Sequence, residues 1–228
     1  MISIIVPVLN EETVLPGFLK QFDMLDDDFE VVICDGGSTD RTIGVIRDAG
    51  IPNLKIVPAT RGRARQMNAG AKSAGGEIYL FLHADTYLPG GALRAIMNSM
   101  SDEAVAGGRF KVRLDNPAFL YRAVGAMITI RDGLFGGFTG DQAIFMRASA
   151  FESLGGFADI ELCEDLDIAR RMKAAGTTVR LPLYVTTGAR RWEKGGPVKT
   201  ILLMWFIRIL FYAGASPHKL ARFYADVR

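Results

Sequence analysis

The chain has 228 residues, 49% of them apolar and 23% charged, with a net charge of +2. That is enough to bury a sizeable core, and it excludes a disordered chain. Two cysteines, Cys34 and Cys163, lie far apart with no partner spacing, which excludes a disulfide scaffold and points to a reducing compartment.

The N-terminal MISIIVPVLNEE shows no basic region followed by a long apolar run and a cleavage site, so a cytoplasmic protein is expected. From Arg190 onward eight Lys or Arg face two acids, a charge of +6 that leaves −4 for the rest. This basic cluster is local and mixed with aliphatic residues, which argues against nucleic-acid binding.

In chain order, the first hundred or so residues alternate apolar runs with helical patterns. Segments 2–7, 30–35, 54–57 and 77–83 are rich in Val, Ile, Leu and Phe, as strands buried in a parallel sheet are. Helices are expected over 14–22, with Pro16 near the start, over 40–49 behind a Ser38-Thr39 cap, and over 61–73. Repeated β-α units predict an α/β fold: a Rossmann-like, doubly wound, mostly parallel sheet with helices on both faces. Further on, strands are expected over 105–112, 142–146 and 179–183, and helices over 118–129 and 164–175, the last closed by Gly176. The economical division is one domain over 1–196, with a nucleotide-binding half to about residue 100 and an acceptor-side half over 101–196, followed by a helical tail over 197–228.

Ligands of open α/β sheets lie beyond the carboxyl ends of the strands. After the first run come Pro7, Asn10 and Glu11, which suit a ligand or a helix cap equally well. After the second, Asp35 opens Asp-Gly-Gly-Ser-Thr and can accept hydrogen bonds from a ribose or base, whereas Ser38 and Thr39 are explained by capping alone. Arg61, Arg63 and Arg65 crowd a helix start, where the dipole disfavours cations unless an anion is present, and a pyrophosphate would be such an anion. The fourth run delivers His83-Ala84-Asp85. Asp85 suits Mg²⁺ or Mn²⁺ bridging two phosphates, while His83 reads more simply as a satisfied histidine at a strand end, with metal ligation the alternative. Four acids fall within 161–167, more than capping needs, and Asp165 would serve as a general base if it faces the same cleft.

Taken in order, IIVPVLNEE, VVICDGGSTDRT, RGRARQMNAGAKSAGGEIYLFLHADTYLP and GDQAIFMRASAFESLGGFADIELCEDLDIARRMKAAG resemble the family 2 glycosyltransferases of GT-A fold, over about four-fifths of the chain. The resemblance implies Asp35 on the base or ribose, Arg61, Arg63 and Ala84 around the nucleotide, Asp85 on a Mn or Mg cation, and Asp165 with Glu164 as the catalytic acids. On the acceptor side it implies Gly140, Asp141, Gln142, Arg191 and Trp192. It implies inverting, non-processive transfer of a sugar from a nucleotide-sugar donor, UDP-linked first, to an acceptor hydroxyl. Two departures stand out: His83 replaces an expected Asp, and only Arg191-Trp192 remains of the processive Gln-x-x-Arg-Trp motif. The rival enzyme is a sugar-phosphate nucleotidyltransferase, disfavoured because VLNEE stands where a Gly-rich basic loop belongs. The rival of another class is a non-catalytic nucleotide-binding or membrane-associated scaffold.

The tail segment 197–216 is strongly apolar but carries Arg208, and its uninterrupted stretch is shorter than the roughly 20 residues that span a bilayer. Either it packs as a core helix, or it lies on a membrane surface with Lys199, Arg208, Lys219 and Arg222 near anionic lipid. In the second case a lipid-linked acceptor follows.

Overall fold

The computed structural model describes residues 1–25, 28–135 and 137–225, with the side chains of residues 133–135, 191 and 225 outside that description. Its strands are β1 (Ile2–Val8), β2 (Phe29–Asp35), β3 (Leu54–Pro58), β4 (Ile78–Phe81), β5 (Thr86–Tyr87), β6 (Val105–Leu114), β7 (Ile144–Arg147) and β8 (Thr177–Thr187). Its helices are α1 (Leu15–Leu19), α2 (Thr42–Asp48), α3 (Arg63–Ser73), α4 (Ala92–Ser99), α5 (Phe119–Phe135), α6 (Ala148–Ser153), α7 (Glu164–Ala175), α8 (Arg190–Gly195), α9 (Pro197–Tyr212) and α10 (Pro217–Ala225).

All the strands join one sheet in the order β3-β2-β1-β4-β7-β6-β8-β5. The pairs β3-β2, β2-β1, β1-β4 and β6-β8 are parallel, and β7 lies antiparallel between β4 and β6. Side chains alternate across each strand, so β1 feeds two cores. Ile2, Ile4, Val6 and Val8 pack under α1, α2, α4 and α5, while Ile5 packs under α3, α6 and α7. Both faces of the sheet are therefore covered, as a doubly wound fold requires.

The second half is fixed by a buried ion pair. Arg109 on β6 donates from Nε and Nη2 to Asp132 of α5, whose side chain is fully buried, and Gln142 and Arg180 complete the surroundings of the same carboxylate. Leaving either charge alone would cost about 3–5 kcal/mol, so α5 cannot detach from the sheet without a large penalty.

Several elements differ from the sequence expectation. The helix expected over 14–22 is α1 followed by a 3₁₀ turn over Lys20–Met24, where buried Gln21 reaches across to Thr86 O and the Leu88 N–H. The strand expected from 142 starts at Ile144, because Gly140–Gln142 forms a 3₁₀ turn closed by Thr139 N–H on Gln142 Oε1. Gly176 ends α7 in extended backbone rather than a left-handed turn. The short elements β5 and α6 carry too few residues to show a period, whereas α4 buries Ala92, Leu93 and Ile96 at helical spacing that the sequence does show.

Among the described residues no helix is long and apolar enough to cross a membrane. In the tail, α9 turns Thr200 and Ile207 inward and leaves Val198, Leu202, Phe206 and Ile209 exposed. Arg208, placed near anionic lipid in the membrane reading, donates from Nη2 to Gly137 O, and its guanidinium sits over Tyr212.

Helix α3 lies unusually close to the sheet. A Cβ on Gly70 would collide with Cys34 Sγ and come within 2.6 Å of Ile5 Cγ2. Alanine is the better helix former by about 1 kcal/mol, yet overpacking here outweighs that gain. Gly70→Ala is expected to lose about 1–3 kcal/mol in chemical denaturation, and a gain would mean that α3 has room to spare.

Candidate active site

The loops after β1 and β2 are stitched together by polar groups. Asn10, in a left-handed conformation, donates its N–H to Ser38 Oγ at 2.9 Å and accepts the Thr39 N–H on Oδ1 at 2.8 Å. Glu11 N–H donates to Thr42 Oγ1, and Glu12 Oε2 accepts the Arg41 N–H. Ser38 is thus the acceptor for the neighbouring loop and not the cap expected for α2, whose first turn is held by Asp40 Oδ1 on the Thr42 N–H. Asp35 folds back on its own turn, accepting the N–H groups of Gly37 and Ser38. Behind both loops Gln66 Nε2 donates to Val8 O at 2.7 Å and Cys34 O at 2.8 Å, pinning α3 across the two strand ends.

Strand order places the cleft. The chain runs from β1 outward to β2 and β3, then returns to β4 on the other side of β1, so the loops after β1 and β4 diverge. Glu11 enters from the first loop and Asp85 from the second. Glu11 Oε2 and Asp85 Oδ2 each lie 3.7 Å from one atom, Arg190 Nη2 at the start of α8. Burial raises the Glu11 carboxyl above its ordinary 4.5; Arg190 works against that shift and the Asp85 charge adds to it. Two acids thus share one guanidinium nitrogen, an arrangement short of positive charge. Asp85, 34% exposed, packs closely against Gly188, whose N–H donates to Asp85 O.

A second group is linked to the first through Arg63, which feels the charges of Glu164, Asp165 and Asp85. Asp165 Oδ2 accepts the Gly140 N–H at 2.9 Å and Oδ1 accepts the Leu166 N–H at 2.8 Å. His83 lies against Gly140, where a Cβ would fall 2.8 Å from His83 Nε2, so a larger residue would displace the ring. Glu164 is buried and lies 3.5 Å from Arg63 Nη1. Burial raises the Glu164 carboxyl above its usual range; Arg63 opposes the shift and Asp165 reinforces it. Burial also works against the Arg63 charge, but Glu164, Asp165 and Asp85 outweigh it and raise its pKa.

Other candidates fall elsewhere. Pro7 lies within β1 opposite Cys34, Arg61 is exposed before α3, and Arg65 pairs with Asp159 at 2.7 Å. Ala84 is buried against the core. Gln142 is fully buried and bonds Phe110 O, so it supports the fold and does not face a ligand. Asp141 accepts the Thr139 hydroxyl. Trp192 is buried on α8, and the Arg191 side chain lies outside the described residues. Burial pushes both thiols, Cys34 and Cys163, up to about 12, which keeps them neutral. Sequence reasoning missed Arg190 and Gln66. The doubled arginine before Trp192 was visible, but which of the two faces the cleft depends on helix phase.

A divalent cation fits the first group. Among the described residues no three potential ligands gather, yet Mg²⁺ and Mn²⁺ commonly take one or two carboxylates and complete their shell with phosphate oxygens and water. Asp85 and Glu11 are such a pair. His83 stands with Gly140 and Asp165 instead.

The profile of glycosyl transferase family 2 matches residues 3–152. An undecaprenyl-phosphate 4-deoxy-4-formamido-L-arabinose transferase of Aeromonas hydrophila is 33% identical over 98 residues, covering 39% of this chain and 30% of the relative. The chain therefore matches less than a third of that relative's length. Two solved structures share the fold. Staphylococcus aureus TarS in complex with UDP has a TM-score of 0.69 at 20% identity, covering 82% of this chain and 60% of that one. The mannosyltransferase PcManGT of Pyrobaculum calidifontis, in complex with GDP-Man and Mn²⁺, has a TM-score of 0.68 at 20% identity, covering 95% and 65%.

Because Glu164 binds its proton more tightly in the fold than in the unfolded chain, ionising it costs stability. The contribution is complete below the ordinary 4.5 and is lost as pH rises through the raised folded value. In melting-temperature profiles, Glu164→Gln is expected to remove that decline, and parallel profiles for the two proteins would contradict the assignment.

Proposed function

The chain belongs to glycosyl transferase family 2, and on that premise we propose that it transfers a sugar from a nucleotide-diphosphate donor to an acceptor hydroxyl. The observation that carries this reading is the meeting of Glu11 and Asp85 at the crevice beside β1, where Arg190 is the one ion-pair partner they share among the described residues. A diphosphate entering there adds negative charge to a site already short of positive charge. A Mn²⁺ or Mg²⁺ held by Asp85, with Glu11 beside it, would offset that charge and stabilise the departing nucleotide. Asp35 is the group for the ribose or base, and UDP is the first nucleotide to test.

Asp165 is the base in this reading. Two backbone N–H groups fix its carboxylate, and each oxygen keeps a lone pair for the acceptor hydroxyl. Glu164, closed off against Arg63, acts as a positioning residue that holds this arginine near the cleft. One base on the acceptor side, with the leaving group held opposite, corresponds to direct displacement and inversion. Residues 1–100 would then serve the donor and residues 101–196 the acceptor.

Asp85→Ala is expected to abolish the Mn²⁺-dependent thermal stabilisation by UDP, a gain of about 2.7 kcal/mol for the wild type at a hundredfold excess over Kd. Asp165→Asn should keep that stabilisation and lose about 10² to 10⁴ in turnover. Metal-dependent binding that survives in Asp85→Ala would remove Asp85 from the mechanism. UDP binding with no release of nucleotide from any UDP- or GDP-sugar would favour a non-catalytic scaffold.

A peripheral membrane contact through α5, α9 and α10 is the second part of the proposal. Among the described residues, Met1, Met24 and Tyr184 are the only large exposed apolar side chains outside these helices. Contiguous apolar surface of this kind marks an interaction site, and a lipid-linked acceptor would be presented there. Replacing Leu202, Phe206 and Ile209 with Ser is expected to abolish co-sedimentation with anionic liposomes while leaving UDP stabilisation intact. Unchanged co-sedimentation would reject the contact.

A further inference from the structure

A cleft of about 350 Å³, partly open to solvent, lies where α5 meets α8 and α9. Its walls are apolar, formed by Met127, Ile128, Ile201 and Met204 with Trp192 and Trp205. Arg131 of α5 lines it too and is only 9% exposed. Its Nε and Nη2 are buried without a hydrogen-bond partner among the described residues. A guanidinium left this way costs several kcal/mol unless something supplies an acceptor.

The surroundings indicate what that acceptor is. Burial lowers the Arg131 pKa, and the nearby Arg208 charge lowers it further, against Asp141, Asp132 and Asp165. Of these acids, Asp132 is already engaged by Arg109, and Asp141 accepts the Thr139 hydroxyl without reaching Nε or Nη2. Nε and Nη2 form the side of the guanidinium that takes two oxygens of a carboxylate or phosphate in parallel. The lining residues Met127 on α5 and Trp205 on α9 are themselves exposed, as are Ile130, Leu202 and Phe206 on the same two helices.

We infer that this cleft binds an amphipathic oxyanion, with Arg131 pairing the charged head group and the α5–α9 surface carrying its apolar chain. Thr139 and Asp141 line this cleft while Gly140 lines the one with Asp165, so the two are separated by a single turn. Resting on the proposed transferase, the bound molecule is the acceptor, anchored by its anion with a hydroxyl left to reach Asp165. The binding itself needs neither nucleotide nor metal.

Trp192 and Trp205 are the chain's two tryptophans and both line the cleft, so their emission reports on its occupancy. Titrating the full chain with octyl phosphate below its micelle concentration, without nucleotide or metal, should change that emission saturably. Arg131→Met should weaken the binding at least about tenfold. Octanol should bind both proteins weakly and alike, and inorganic phosphate should bind the wild type far more weakly than octyl phosphate. Sodium octanoate in place of octyl phosphate tests the head group: equal affinity makes it any oxyanion, and weaker binding makes it a phosphate. Arg131→Met should also raise the melting temperature of the ligand-free protein, because it removes buried N–H donors that have no hydrogen-bond partner among the described residues. Equal binding of octanol and octyl phosphate, equal binding by the variant, phosphate binding as tight as octyl phosphate, or a lowered melting temperature would each overturn the inference. Because nucleotide release from a donor is measured without the amphiphile, failure here leaves the transferase reading standing.

Discussion

The reversal of strand order at β1 is the constraint on which the site depends. A chain that builds β2 and β3 on one side of β1 and β4 on the other cannot cover both loops at the carboxyl ends with the same crossover. The crevice left between them is therefore a result of topology, and the side chains of Glu11 and Asp85 fall into it because each follows its strand by a few residues. The tight seating of α3, made by Gly70 and by the Gln66 amide on two strand-end carbonyls, keeps the floor of that crevice fixed. The loops above can then carry charge without the sheet having to adjust.

Charge is distributed unevenly around the crevice. Acids enter from the loop after β1, the turn after β4 and the start of α7, while Arg63 and Arg190 are the cations beside them. Acids near a bound phosphate repel it by themselves, so under the proposed function their value would lie in holding a cation and a proton. The buried Arg109–Asp132 pair solves a different problem. It ties a long helix to the sheet at the residue next to Arg131, so one helical position is spent on anchoring and its neighbour is left to face the cleft.

Much of this was legible in the sequence because β-α alternation is a local signal. Asp35 and Asp85 stand out by their position after apolar runs, and Asp165 by the run of acids at a helix start. Partners were not legible. Arg63 and Arg65, read as a phosphate cradle, face Glu164 and Asp159 about a hundred residues away, and nothing in a helix start names its distant counter-ion. Gln66 reads as an ordinary helix residue until the strand ends beneath it are known. Ser38 and Gln142 fit local explanations, capping for one and ligand contact for the other, that tertiary hydrogen bonds displaced. Strand order itself, and with it the pairing of Glu11 with Asp85, leaves no trace in hydrophobic periodicity.

The Thr139–Gln142 turn is a party wall. One of its backbone N–H groups holds Asp165, its glycine presses on His83, and its flanking residues bound the cleft that contains Arg131. A wall shared by two rooms cannot move for one of them alone. If it has two positions, filling either room biases the choice, and the influence runs both ways by the same factor. Such a turn gives neighbouring clefts a common thermodynamic ledger without any long-range motion of the sheet.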